Sequence, residues 1–173
     1  MAKLFIPDYY TEDLTKVDWK AFRQQGILHV YLDIDNTLEP QGARVAGPRT
    51  AEICGAIEAA GMDVSILSNA AEARAEEFCQ PLQLDYLGLA AKPLVHKVKA
   101  HLKARSLRAD QVLLVGDQIF TDLWCARFLG CPALIQKSLG GKETGFLAFK
   151  RKIEALLLKL GQDPRKALPA PLA

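Results

Sequence analysis

The stretch Ile27-Leu28-His29-Val30-Tyr31-Leu32-Asp33-Ile34-Asp35-Asn36-Thr37-Leu38 decides the fold. Residues 27–32 are a short, almost unbroken apolar run that stops at an aspartate. A half-exposed strand would alternate apolar and polar residues. An unbroken run of this length reads instead as a strand covered on both faces. Asp33 and Asp35 close it two positions apart, and Thr37 follows two further on. A single Asp at a strand end can serve an Asx turn. Two of them, with chemically matched partners downstream, fit that structural role poorly and point to a site.

Outward from this stretch the pattern repeats. It predicts further strands over 64–67, 86–89, 112–115 and 133–135, and helices over 48–60, 70–79, 93–104 and 119–129. Pro48 opens its helix and Gly61 follows its end, the usual placement of these two residues. Strands alternating with helices imply βαβ units. The fold class is therefore α/β: a central parallel sheet of about five strands with helices on both faces. Ligands of such sheets bind beyond the carboxyl ends of the strands. The polar residues Asp33, Asp35, Ser68, Asn69, Lys92 and Asp117 all fall there.

Composition narrows the class. The chain has 173 residues, one domain's worth, with 50% hydrophobic and 24% charged residues, enough to bury one core. A net charge of +2 gives no reason to expect a nucleic-acid partner. No apolar run reaches the roughly 18 residues of a membrane span, and residues 1–8 do not read as a signal peptide. The four cysteines, at 54, 79, 125 and 131, lack Cys-x-x-Cys spacing and histidine partners for zinc. They read as buried free thiols of a reducing compartment, which predicts a cytoplasmic location.

Four segments, in order, carry a resemblance. Asp33-Ile-Asp35-Asn-Thr37 is similar to motif I of the haloacid-dehalogenase (HAD) superfamily of phosphotransferases. Ser68 at a strand end resembles motif II, Lys92 before Pro93 motif III, and Gly116-Asp117-Gln-Ile-Phe-Thr-Asp122 motif IV. The resemblance covers roughly residues 25–137 and implies a Rossmann-like HAD fold and phosphate-ester hydrolysis through an aspartyl-phosphate. Asp33 would be the nucleophile. Asp35 would protonate the leaving alcohol and then activate water. A carboxylate attacking a phosphate dianion meets repulsion, so cations must gather. Mg²⁺ is the implied cofactor, held by Asp33, the backbone carbonyl of Asp35 and Asp117. Lys92 would neutralise developing charge, and Ser68 and Asn69 would hold phosphate oxygens. Asp122 would orient Lys92 from behind, and Thr37 would brace the loop.

Thr37 to Ser68 is 31 positions and Ser68 to Lys92 is 24, too few for a cap domain beside the expected helices and strands. The chain also resembles a narrower branch, the YqeG-type proteins of HAD subclass IIIA, which includes phosphatidylglycerophosphate phosphatases. The shared segments are Phe5-Ile-Pro-Asp-Tyr-Tyr10, Asp35-Asn-Thr-Leu38, Leu67-Ser-Asn69, Ala91-Lys-Pro93, Gly116-Asp-Gln118 and Thr121-Asp122. The implied substrate is a phosphorylated lipid headgroup. Residues 137–166 hold eight Lys or Arg against three Asp or Glu, and apolar residues recur at helical spacing over 145–160. That pattern suits peripheral contact with an anionic membrane, and equally a stripe packed on the sheet. The rival substrates are a soluble sugar or nucleotide phosphate or a phosphoprotein. A phospho-receiver or binding module, which would keep its phosphoryl group, is the rival of another class. The expected organisation is an N-terminal segment over 1–24 packed on the domain, a phosphatase domain over 25–160 and a tail over 161–173. His29, His96 and His101 lie outside the motifs and read as structural, and Phe120, Trp124 and Phe128 read as core. Nothing in the sequence sets an oligomeric state.

Overall fold

The computed structural model describes residues 5–140. The amphipathic segment over 145–160 and the tail over 161–173 lie outside the described residues. Six strands form one sheet: β1 (Tyr9–Thr11), β2 (His29–Leu32), β3 (Asp63–Leu67), β4 (Asp85–Leu87), β5 (Val112–Gly116) and β6 (Ala133–Gln136). Their order is β1-β6-β5-β2-β3-β4, and every pairing is parallel. The sheet thus has one strand more than the five that the sequence pattern predicts. The extra strand, β1, is three residues from the N-terminal segment, too short for a periodic signal, and it pairs with the edge of β6.

The helices are α1 (Trp19–Gln24), α2 (Pro48–Ala59), α3 (Glu72–Cys79), α4 (His96–Ala104) and α5 (Trp124–Leu129). The apolar runs bury on both faces. Val30, Leu32, Ile66, Leu113 and Val115 pack with Phe22, Ile53, Ile57 and Phe78 of α1, α2 and α3. Tyr31, Leu67, Val112 and Leu114 pack with Val98, Leu102, Cys125 and Leu129 of α4 and α5. All four cysteines are free and buried. Phe120, Trp124 and Phe128 form a ladder of ring contacts on α5 and the turn before it, but Phe128 is 51% exposed. The core reading therefore fails for that ring: α5 presents its Cys125-Ala126-Leu129 face to the sheet, and Phe128 points away from it. Among the described residues no helix is long and apolar enough to cross a membrane, and no cap is inserted.

Chain order steps from β2 to β3 and β4, then returns to the other side of β2 as β5. The two directions diverge between β2 and β5, and an open α/β sheet leaves a crevice at such a point. Asp33 and Asp117 follow these two strands.

The opposite, amino end of the sheet carries a buried polar cluster. Ser65 Oγ donates to Asp85 at 2.9 Å, so His29 Nε2 must donate to Ser65 Oγ, also at 2.9 Å. His29 Nδ1 then has no partner among the described residues. His101 Nδ1 meets the Tyr31 hydroxyl at 2.6 Å, and Arg105 donates to Asp85 at 2.6 Å. Neither His29 nor His101 approaches the catalytic motifs, as the sequence reading expects. Burial, and then the charges of Arg105 and His101, push the His29 pKa down to about 4.

His29 stays neutral in the folded chain where the unfolded chain binds a proton. Its contribution to stability is therefore complete above about 6.5 and is lost as pH falls toward about 4. Urea unfolding at stepped pH should show the loss, on the order of 3 kcal/mol at most. The difference curve between the wild type and His29→Gln should isolate it, being flat above pH 6.5 and sloping below.

Candidate active site

Asp33 follows β2 directly, and its backbone N–H donates to the Val115 carbonyl, which ties this carboxylate's backbone to β5. The following turn is wound on one acceptor: the Ile34 carbonyl takes N–H bonds from Thr37, Leu38 and Glu39. Asn36 holds the left-handed backbone that this turn requires, at φ 58°. Thr37 is fully buried, and its hydroxyl has no partner among the described residues. It does brace the loop, but through its carbonyl, which accepts from Arg49 at 3.2 Å and Gln136 at 2.8 Å. Arg49 also donates to the Leu38 carbonyl and to Gln136, so the first turn of α2 and the end of β6 hold this loop together.

Lys92 is the centre of the site. Its ammonium lies 2.7 Å from Asp33 Oδ1 and 2.6 Å from Asp122 Oδ1, and all three residues are buried. Burial alone would depress this ammonium, but Asp122 and Asp33 outweigh it and raise its pKa above the ordinary lysine value. Burial pushes the Asp33 carboxyl above the usual carboxylate range; Lys92 opposes the rise, and Asp122 and Asp117 add to it. The Lys92 backbone is clamped by Asn69: its N–H donates to Asn69 Oδ1 at 2.7 Å, and Asn69 Nδ2 donates to its carbonyl at 3.2 Å. The Asn69 side chain expected on phosphate is thus engaged in positioning Lys92. Ser68 Oγ accepts from the Ala70 N–H at 3.2 Å, which leaves its hydroxyl proton free to donate into the cavity that it lines.

Asp122 reaches back through a π-helical turn, Ile119–Leu123, a distortion common at functional sites. Its Oδ2 accepts from the Gln118 N–H at 3.1 Å and from the Thr121 hydroxyl at 3.4 Å. Gly116 makes room for it: a Cβ at that position would lie 2.2 Å from Asp122 Cγ. The carboxylate oxygens of Asp33, Asp117 and Asp122 lie within 4.8 Å of one another. Three carboxylates against one ammonium leave a buried excess of negative charge, and hard oxygen donors suit a hard divalent cation. With both Asp122 oxygens hydrogen-bonded, Asp33 and Asp117 are the carboxylates best placed to hold one.

Asp35 lines the same cavity, of about 200 Å³, beside Gln41, Ser68, Lys92 and Gln118. Both its oxygens are engaged. Arg74 of α3 donates to Oδ2 at 2.8 Å and to Oδ1 at 2.6 Å, and the Gly42 N–H donates to Oδ1 at 2.8 Å. Burial alone would raise this carboxyl, but the bonds from Arg74 and Gly42 hold it below the ordinary value. Arg74, Arg49 and Gln41 carry no motif signal, and sequence reasoning missed them.

Fold and site define a phosphatase of the HAD type. Residues 1–139 match the mitochondrial PGP phosphatase family, and the chain belongs to that family. A probable phosphatase YqeG of Bacillus subtilis is 23% identical over 158 residues, 91% of this chain and 92% of that protein. The chloroplastic/mitochondrial phosphatidylglycerophosphate phosphatase 1 of Arabidopsis thaliana is 24% identical over 164 residues, 89% of this chain and 47% of that protein. A Listeria monocytogenes protein of solved structure shares the fold, with a TM-score of 0.53 and 16% identity, over 77% of this chain and 99% of that one. Membership in a phosphatase family sets aside the phospho-receiver reading.

Gly116→Ala should force Asp122 away from Lys92. The expected result is a stability loss of about 1–3 kcal/mol from overpacking, read by urea unfolding, with phosphatase activity falling further than the loss of folded protein explains.

Proposed function

We propose that this protein is a Mg²⁺-dependent phosphomonoesterase whose substrate is phosphatidylglycerophosphate. The observation that carries the mechanism is the buried Asp33–Lys92–Asp122 array with Asp35 two residues from Asp33 on the same cavity. Asp33 attacks phosphorus and forms an aspartyl-phosphate. Asp35 gives a proton to the departing alcohol and then takes one from the water that attacks the aspartyl-phosphate. Lys92 draws off charge from the phosphoryl oxygens. The Ser68 hydroxyl and the backbone at Asn69 hold those oxygens, while the Asn69 side chain keeps Lys92 in place. Asp122 aims the Lys92 ammonium. Mg²⁺ would be held by Asp33, Asp117 and the Asp35 carbonyl, and supplies positive charge where a carboxylate meets a phosphate dianion.

Two observations favour a lipid-borne ester over a soluble one. The family and the Arabidopsis relative carry the name of this substrate. Three leucines also stand exposed on loops that leave the carboxyl end of the sheet: Leu89 at 55%, Leu94 at 56% and Leu139 at 39%. Leu89 and Leu94 flank Lys92 in sequence, and the Leu139 N–H donates to the Asn36 carbonyl beside the nucleophile turn. They would let the site mouth rest on a bilayer. The basic residues of 137–166 would add attraction to anionic lipid.

Phosphate release should be measured from phosphatidylglycerophosphate in mixed micelles beside soluble esters. The lipid should exceed every soluble ester, and turnover should fall to background in Asp33→Asn or after chelation of Mg²⁺. Soluble turnover alone, lost in Asp33→Asn, would keep the mechanism and remove the lipid substrate. Replacing Leu89 and Leu94 together by Ser should weaken sedimentation with anionic vesicles roughly tenfold while leaving the melting temperature unchanged.

A further inference from the structure

Arg74 stands behind Asp35 and is not itself part of the cavity wall. It has two anchors of different kinds. One is the Asp35 carboxylate. The other is the Ala43 carbonyl, which accepts from Nε at 3.1 Å and from Nη2 at 2.9 Å. The carbonyl belongs to the backbone and stays where it is. The carboxylate is on a side chain and can turn. Released by Asp35, the guanidinium would remain tethered at Ala43 with its Nη1 edge facing the site.

Asp35 has to be released for the reaction proposed above. Arg74 holds both its oxygens and the Gly42 N–H holds Oδ1 as well, so turning the carboxylate toward a leaving oxygen means breaking this fork. Once Asp35 turns, a mostly buried guanidinium is left without its counter-charge, which is costly. The acids lining the cavity are Asp33 and Asp35 themselves, so no residue of the wall replaces the lost partner. Lys92, the cation that lines the cavity, is already shared between Asp33 and Asp122. The replacing anion must arrive with the substrate. It must also arrive on the alcohol side, because Asp35 covers the leaving oxygen and Arg74 lies beyond Asp35.

We infer that Arg74 is a specificity residue that exchanges Asp35 for a second anionic group on the leaving alcohol. This rests on the reading of Asp35 as the proton donor, and it narrows the substrate class. The preferred ester is a phosphomonoester whose alcohol carries a phosphodiester, or a comparable anion, a few bonds away. The planar fork of a guanidinium matches two oxygens of such a group. The charged group also explains how a site with no cap among the described residues recognises the far side of its substrate: the ion pair does what a lid would otherwise do.

A matched pair of soluble esters tests this. One is glycerol 3-phosphate. The other is glycerophosphoglycerol phosphate, the deacylated lipid, which carries on the alcohol side an added glycerophosphoryl group and with it the phosphodiester anion. Wild-type kcat/KM should favour the second by roughly 30-fold, the worth of one charge-assisted bidentate contact. In Arg74→Gln that ratio should collapse to within about threefold, and Arg74→Lys, which keeps the charge without the fork, should restore part of it. Equal kcat/KM for the two esters in the wild type would overturn the inference, with no variant needed. So would a preference that survives in a folded Arg74→Gln. Intact phosphatidylglycerophosphate in micelles separates the sources of the anion: turnover above the deacylated lipid marks a lipid substrate, and turnover below it marks a soluble one, with the Arg74 exchange standing in both cases. Turnover without the preference overturns this inference alone, whereas no turnover of any ester overturns the proposed mechanism and this inference with it.

Discussion

A lysine ammonium buried between two carboxylates is the interaction on which this molecule's site depends. Lys92 touches Asp33 and Asp122 at hydrogen-bond distance, and Asp117 stands beside them. Removing one member of a buried ion pair costs about 3–5 kcal/mol, because the remaining charge loses its partner. Here the ammonium balances a cluster with an excess of acid, so its position is held from several sides. Asn69 clamps its backbone, Gly116 leaves space for Asp122, and the π-helical turn brings Asp122 within reach. Each of these features makes sense only as a means of keeping one cation in one place.

A second charge balance surrounds the first. Asp35 is paired outward with Arg74, as Asp33 is paired inward with Lys92. The inner pair is nearly sealed from solvent and the outer one is partly open. The difference suits the proposed roles: a nucleophile would need a fixed orientation, whereas a proton donor would have to change partners between the two halves of the reaction. The bonds from Arg74 to the Ala43 carbonyl would allow the proposed change without releasing Arg74 to solvent.

The two ends of the sheet divide the work. At the amino end, His29, Ser65 and Asp85 form a polar cluster within the sheet, with His101 and Arg105 of α4 packed against it. It joins β2, β3, β4 and α4 through hydrogen bonds among buried polar groups, with His29 Nδ1 left unmet among the described residues. At the carboxyl end the chain diverges between β2 and β5, and charge that would be intolerable in the core gathers at the rim of the crevice.

The sequence by itself determined the sheet class and the inner site. Apolar runs that end in Asp33, Ser68 and Asp117 must be buried strands, and burying them in parallel brings their carboxyl ends together. Asp33, Lys92 and Asp117 were therefore legible as polar residues gathered at one end of the sheet, whereas Asp122 entered only through the resemblance to HAD motif IV. The edge strand β1 was not legible, since three residues carry no period and their pairing depends on β6 being there. The Asn69 clamp, the Thr37 carbonyl brace and Arg74 were not legible either. Each depends on a partner 12 to 99 residues away whose direction follows from how helices lie on the sheet. Local sequence encodes which residues are buried and where a strand stops. Which long side chain meets which charge across the site is set only when the helices pack, because only then do distant backbones fix the distance that a side chain has to span.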